Sequence, residues 1–169
     1  MKHYNELTKE EKIKYGYPEL PVDNLLRPIS QFLDWEQQNV AAWILSEARV
    51  AYPERGYAGT LDAVAIMIKD DDSALLDFKF ANHFSEDHSL QTAGYKACFE
   101  PYGIKLDKRI IVRLPKTLTK EEWNPQKYCY EIIENSFEVK EIDTPYELDR
   151  DAFFAALIVK RWINAVCKK

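Results

Sequence analysis

The sequence predicts one α/β (α+β) domain with a central mixed β-sheet flanked by helices. Three observations predict this fold class. The chain has 169 residues, the length of a single domain. Hydrophobic residues make up 46% of it and charged residues 30%, the balance of a globular protein. Segments with helical spacing alternate with segments of strand-like spacing, which is typical of mixed folds.

The first half of the chain predicts a polar arm, a helix and a β-meander. Residues 1–28 are polar and interrupted by three prolines, so we expect an extended arm, with residues 29–169 forming the domain. Residues 29–38 have the apolar spacing of a short amphipathic helix. Strands are expected over residues 40–50, 60–68 and 74–80, with a hairpin tip at 69–73.

The second half predicts helices and strands in alternation. Ser85 is a plausible N-cap for a helix over residues 86–100. A strand after this helix would join the sheet through a crossover, which makes the sheet mixed. The further elements expected are a buried strand over 109–114, a helix over 119–130 that breaks at Pro125, a strand over 137–142 and a long helix over 147–168.

Charge and composition exclude several classes of protein. The net charge of −5 argues against a binder held by bulk positive charge. The longest apolar run, residues 152–159, is far shorter than the ~20 residues that span a bilayer, so we expect no membrane association. The N-terminus lacks an apolar signal region. Three widely spaced cysteines suit neither a zinc site nor a disulfide framework and favour a cytoplasmic location.

Three charged residues break the apolar pattern of the meander. Asp62 lies in one strand, and Asp77 and Lys79 share one face of the next. If the hairpin register permits, Asp62 comes beside Asp77. Two carboxylates and an ammonium group on one face suit Mg²⁺, or Mn²⁺ as a substitute, and phosphodiester hydrolysis. The alternative is a buried Asp–Lys ion pair that only holds the hairpin.

The order of these motifs resembles the PD-(D/E)XK nuclease superfamily, in its RecB-like and phage-type exonuclease branch. Gly-x-x-Asp at residues 59–62 is followed by Asp-x-Lys at residues 77–79 and by Gln-x-x-x-Tyr at residues 91–95. Residues 47–62 also look like the phage-type pattern. The resemblance implies a restriction-endonuclease-like core and a Mg²⁺-dependent deoxyribonuclease.

The resemblance also implies roles for individual residues. Asp62 and Asp77 would ligate the metal together with the backbone carbonyl of Phe78, and Lys79 would be the catalytic lysine. Gln91 and Tyr95 lie one helical turn apart and would contact DNA or support the active site.

An upstream acid is expected as a further catalytic residue and metal ligand. Glu47 shares its expected strand face with apolar residues, so an acid there is unusual. The family often places an acidic residue or a histidine at such a position. Glu36, on the preceding helix, is the competing candidate, and a solvated surface role is open for either.

Basic residues are concentrated between residues 105 and 120. Six bases and one acid occur there, and four of the bases are assigned to substrate binding: Lys105, Lys108, Arg109 and Arg113. On an acidic chain, such a strip fits a surface that follows a phosphate backbone. A solvated strand end and loop is the alternative.

The leading hypothesis is an exonuclease in phage or prophage DNA recombination or processing. Its expected partners are DNA and either a second copy of the chain or a recombination protein. The alternatives are a structure-specific endonuclease with the same chemistry and a catalytically silent domain that binds nucleic acid or protein.

Overall fold

The structure, a computed structural model, describes residues 22–117 and 119–167. The helices and strands of these residues, in chain order, are α1 Val22–Asn39, β1 Val40–Tyr52, β2 Tyr57–Met67, β3 Ser73–Phe80, α2 Asp87–Ala97, β4 Lys108–Leu114, β5 Thr119–Asn124, β6 Cys129–Glu134, β7 Glu138–Glu141 and α3 Tyr146–Val166. The meander strands, α2, β4, β7 and α3 are confirmed within a few residues of their predicted bounds.

A five-stranded mixed sheet, with strand order β1-β2-β3-β4-β7, forms the centre of the fold. Strands β1, β2 and β3 form an antiparallel meander. Strand β4 pairs parallel with β3, and β7 pairs antiparallel with β4. A parallel pair needs a crossover connection, and α2 lies in it. The predicted mixed α+β class, with helices flanking a mixed sheet, is therefore confirmed.

Helices cover both faces of the sheet. Leu76 of β3 lies in a buried cluster against which Phe32 of α1 packs. Leu75 lies in a second cluster, against which Tyr95 of α2 packs. Because alternate residues of a strand point to opposite faces, the odd-numbered residues that follow Leu75 point toward α2.

The expectation of an extended arm over residues 1–28 is wrong for its last seven residues. Helix α1 begins at Val22 and includes Pro28. Pro28 is fully buried, so the helix continues through it despite the missing N–H donor. Residues 1–21 of the predicted arm lie outside the described residues.

The expectation of a helix over residues 119–130 is also wrong. These residues form a separate two-stranded hairpin, β5 with β6. Asn124 accepts hydrogen bonds at its side-chain oxygen from the N–H groups of Gln126 and Lys127, which closes a turn around Pro125. The tryptophan and two tyrosines of the segment favour strands, as do the two isoleucines that follow it in β6, so turn and strand propensities outweigh the helical spacing.

Within the described ranges, no helix is long and apolar enough to cross a membrane.

Candidate active site

Asp77 and Lys79 lie on the face of β3 that points toward α2. Phe78, between them, packs on the opposite face, with its ring centroid 5.5 Å from that of Phe32. Asp77 is 1% exposed, while the side chain of Lys79 is partly buried. An apolar strand thus presents a buried carboxylate and, beside it, a partly buried lysine.

Asp62 lies where β2 and β3 stop pairing. The last paired residues are Ala63 and Leu76, and the same register continued by one residue places Asp62 opposite Asp77. The carboxylate of Asp62 accepts a hydrogen bond from the backbone N–H of Phe78, at 2.6 Å from Oδ2. The carboxylate therefore accepts the hydrogen bond that a backbone carbonyl of the neighbouring strand would otherwise accept. The predicted juxtaposition of the two aspartates agrees with this register.

A chain of polar contacts joins Asp77 to α2. Lys79 Nζ lies 2.7 Å from Asp77 Oδ2. The same ammonium group donates a hydrogen bond to Gln91 Oε1, at 2.8 Å. Gln91 Nε2 in turn donates to the hydroxyl of Tyr95, at 3.1 Å. Gln91 and Tyr95 thus support Lys79, one of the two roles that the motif resemblance implied.

Gly59 completes this set of contacts. A Cβ at this position would lie 2.7 Å from Cε1 of Tyr95, closer than real Cβ contacts. The ring of Tyr95 therefore packs directly on the backbone of β2, three residues before Asp62. The three motif segments, residues 59–62, 77–79 and 91–95, meet in one place because this glycine lets the helix approach the strand.

The charge balance around Asp77 favours an additional cation. Burial raises the pKa of Asp77, the ammonium group of Lys79 lowers it and Asp62 raises it, and the net direction is upward. Among the described residues, buried Oδ2 is contacted by the ammonium group of Lys79, at 2.7 Å, and by no further donor. An under-compensated buried oxygen beside a second carboxylate fits a hard divalent ion.

Glu47 lies at the same level of β1 as Asp62 in β2. Both acids lie between the residue pairs Ser46–Ala63 and Ala48–Leu61. The φ angle of Glu47 is +48°, a left-handed conformation that non-glycine residues rarely adopt. The side chain is exposed. Strain of this kind is concentrated at functional sites, and no sequence pattern indicated it.

Glu36, the competing acid, is occupied by another contact. Its Oε1 accepts a hydrogen bond from the indole N–H of Trp43, at 2.6 Å. In the part of the chain that the structure describes, no three His, Cys, Asp or Glu side chains are grouped as ligands of one ion. The described geometry therefore assembles the carboxylate pair of Asp62 and Asp77, without a third acid.

The two arginines assigned to substrate binding do not lie on an exposed strip, and that expectation is corrected. Arg109 is 3% exposed and forms an ion pair with Asp149, at 2.8 Å. Arg113 is fully buried and donates to Asn135 and Glu138, among other acceptors. Both point toward the face that α2 covers, where they hold loops and β7 in place.

The two lysines of the predicted strip lie away from Lys79. Lys108 pairs with Ala74 at the start of β3, five residues from Lys79, which is about 16 Å along the strand. Its ammonium group holds Asp70 and Asp72 of the hairpin tip, at 2.8 and 3.0 Å. Lys105 is exposed nearby. These bases and the Asp77–Lys79 pair therefore occupy different parts of the sheet.

His88 is a candidate that the sequence patterns did not single out as a site residue. It precedes Gln91 by one turn of α2 and lies on the same helix face. Its Nδ1 accepts a hydrogen bond from the N–H of Ser85, at 3.3 Å. Burial lowers the pKa of His88, and Lys79 lowers it further while Asp77 raises it. The signal available in the sequence was the spacing of residues 88, 91 and 95.

The chain matches no protein-family model and no curated protein. Functional inference therefore rests on the residues and contacts described above.

Proposed function

We propose that the protein is a Mg²⁺-dependent deoxyribonuclease with the restriction-endonuclease-like core of the PD-(D/E)XK superfamily. The observation that carries this proposal is the contact chain from Asp77 through Lys79 and Gln91 to Tyr95, beside Asp62. A structural ion pair needs only the first two of these residues. The extension to a helical glutamine and tyrosine fits a lysine held in one position for chemistry.

Asp62, Asp77 and the backbone carbonyl of Phe78 are the proposed metal ligands, with Mn²⁺ as a substitute for Mg²⁺. A bound ion would supply positive charge beside a phosphate oxygen and lower the pKa of a coordinated water. Glu47 stays a candidate for a further ligand, because its strained backbone lies at the level of Asp62.

Lys79 is the proposed catalytic lysine. An ammonium group at this position would stabilise the charge that develops on the scissile phosphate or orient the attacking water. Gln91 holds Nζ through Oε1 and is itself held by Tyr95. Both are positioning residues, since neither contacts Asp62 or Asp77 by a hydrogen bond among the described contacts.

We propose an exonuclease that acts on DNA in phage or prophage recombination or processing, in the cytoplasm. Lys116 is the proposed phosphate contact in place of the buried arginines. It is exposed and follows β4 at the end where Arg113 pairs with Lys79. Exposed bases attract the phosphate backbone without regard to sequence.

Degradation of labelled DNA tests this function. End-labelled linear duplex, single-stranded DNA and closed circular DNA are incubated with Mg²⁺, Mn²⁺ or EDTA. Metal-dependent loss of the linear substrates alone supports the exonuclease, and cutting of the circle indicates the endonuclease. DNA binding without cleavage in either metal would contradict the proposal and favour the silent binding domain.

A further inference from the structure

Helix α3 carries two apolar faces, and the body of the protein covers one of them. On the covered face, Phe153 packs against Tyr57, with ring centroids 5.1 Å apart, and also against Gly94. Arg161, two turns further on, donates to the backbone carbonyl of Gly56. The covered face ends at Leu157, because every residue of α3 beyond it is exposed, and Arg161 holds the exposed half of the helix to the turn at Gly56.

The opposite face of α3 is apolar and exposed. Its residues recur at alternating spacings of four and three, the pattern of a coiled-coil seam. They are Leu148, Ala152, Ala155, Val159, Trp162 and Val166. Leu148 and Trp162 are each 64% exposed, and Val159 is 54% exposed. A face of this length and spacing is typical of a helix that packs against a second helix.

The order of side chains along this seam is complementary to itself in the antiparallel direction. When two copies are aligned head to tail, Leu148 faces Val166 and Ala155 faces Val159. Ala152 faces Trp162, so the smallest side chain lies opposite the largest. Alternation of small and large residues is what lets two surfaces interdigitate.

Charge favours the same direction. Residues 146–156 of α3 contain three acids and one base, whereas residues 157–166, up to the end of the helix, contain two bases and no acid. An antiparallel pair places the acidic half of each helix beside the basic half of the other, and a parallel pair would place like charges together.

We propose that the protein self-associates through an antiparallel pairing of the exposed α3 seams of two copies. The interface is isologous, as in most two-fold dimers, so each copy contributes the same residues. It does not depend on the proposed nuclease activity.

Molar mass measured by light scattering after size-exclusion chromatography, in reducing buffer over a range of concentrations, tests this dimer. The wild-type chain is expected at twice the monomer mass. Trp162→Glu places a charge in the seam and is expected at the monomer mass with an unchanged circular dichroism spectrum. Ile132→Glu is the matched control, because Ile132 is 74% exposed on β6, away from the seam.

Disulfide trapping tests the direction of pairing. Cys167 is free, exposed and adjacent to Val166. In the antiparallel pair that aligns Leu148 with Val166, it lies at the level of residue 147 of the other copy, next to position 148. Leu148→Cys should therefore form an intermolecular disulfide with Cys167 on mild oxidation, and peptide mapping should locate it.

Three results would overturn the proposal. A wild-type chain that stays monomeric at all concentrations would contradict the dimer. A Trp162→Glu variant that keeps the doubled mass would place the interface elsewhere. A disulfide joining two copies of Cys167 in the wild-type chain would make the pairing parallel.

Discussion

The ring of Tyr95 lies against the backbone of Gly59, so closely that a Cβ there would come within 2.7 Å of Cε1. Through its hydroxyl, Tyr95 also holds Gln91, which holds Lys79. A glycine on β2 thus determines how closely α2 approaches the sheet. The position of Lys79, the proposed catalytic lysine, therefore depends on a residue that carries no functional group.

Gly59→Ala is expected to lower both stability and activity. The added methyl group must displace the Tyr95 ring, and overpacking of this kind costs about 1–3 kcal/mol. The measurement is thermal or denaturant unfolding together with the DNA degradation rate. Because the displaced ring carries Gln91 with it, the rate should fall more than the loss of folded protein explains.

A second substitution separates the two effects. Gly59→Ala combined with Tyr95→Leu should recover most of the lost stability, since the smaller side chain leaves room for the methyl group. It should not recover activity, because Gln91 has lost its hydroxyl partner. Wild-type stability and rate in Gly59→Ala alone would contradict the close packing described here.

Gln91→Ala is expected to reduce the cleavage rate more than Tyr95→Phe does. Loss of Gln91 frees the lysine from its position, and misplacement of a catalytic group costs between about 10- and 100-fold. Tyr95→Phe removes one hydrogen bond to Gln91, for an expected loss of about fivefold.

The double variant tests whether Gln91 and Tyr95 act through one chain of contacts. Its rate should equal that of Gln91→Ala, because the tyrosine hydroxyl acts only through Gln91. Rate losses that multiply in the double variant would show that Tyr95 acts independently, for example by contacting DNA.

Asp77→Asn is expected to raise the melting temperature at neutral pH in metal-free buffer. A carboxyl group whose pKa rises on folding binds its proton more tightly in the folded state. The free energy of unfolding therefore falls as pH rises from the unfolded pKa through the folded one. Asp77→Asn has no carboxyl group at this position and so does not lose this stability as pH rises. Its higher melting temperature relative to the wild-type protein should therefore disappear in acid, below the ordinary aspartate pKa.

Mg²⁺ should reverse the order of melting temperatures, so that the wild-type protein becomes more stable than Asp77→Asn. An ion that binds only the folded state raises the melting temperature, and Asp77→Asn removes a proposed ligand. The wild-type protein should therefore gain stability with Mg²⁺ and the variant should not. Equal stabilisation of both proteins would exclude Asp77 as a ligand.

Lys116→Ala is expected to weaken DNA binding more than Lys105→Ala. Lys116 lies at the Lys79 end of the sheet, whereas Lys105 precedes the opposite end of β4. Binding is measured by fluorescence anisotropy over a series of salt concentrations. Loss of one phosphate contact should reduce by about one the slope of the logarithm of the binding constant against the logarithm of the salt concentration. An unchanged slope in Lys116→Ala would contradict the proposed contact between Lys116 and DNA.

The strands of the candidate site were predictable, because their charged residues interrupt short apolar runs. The juxtaposition of Asp62 and Asp77 followed from the hairpin between them, which has a short, acidic tip. The packing of Tyr95 on Gly59 was not predictable from spacing, since it depends on how closely α2 approaches β2. The left-handed backbone of Glu47 is likewise a tertiary effect.

The basic strip shows where a linear count of charge fails. Arg109 and Arg113 alternate with Ile110 and Val112 along β4, and both faces of this central strand are covered. The apolar run at residues 110–112, which predicted a buried strand, therefore contained the signal that these arginines are buried, but the count of bases gave it no weight. Likewise, residues 119–130 combine helical spacing with strand-forming residues, and the turn at Asn124 favours the hairpin.

The most direct test of the central claim compares the DNA cleavage rates of Lys79→Met and Lys105→Met in Mg²⁺, with enzyme in excess over end-labelled linear duplex. Both variants remove one positive charge, but only Lys79 contacts Asp77. We expect Lys79→Met to lose at least about 100-fold in rate with its fold intact, and Lys105→Met to stay close to wild type. A Lys79→Met variant that cleaves as fast as the wild-type protein would contradict the assignment of this site.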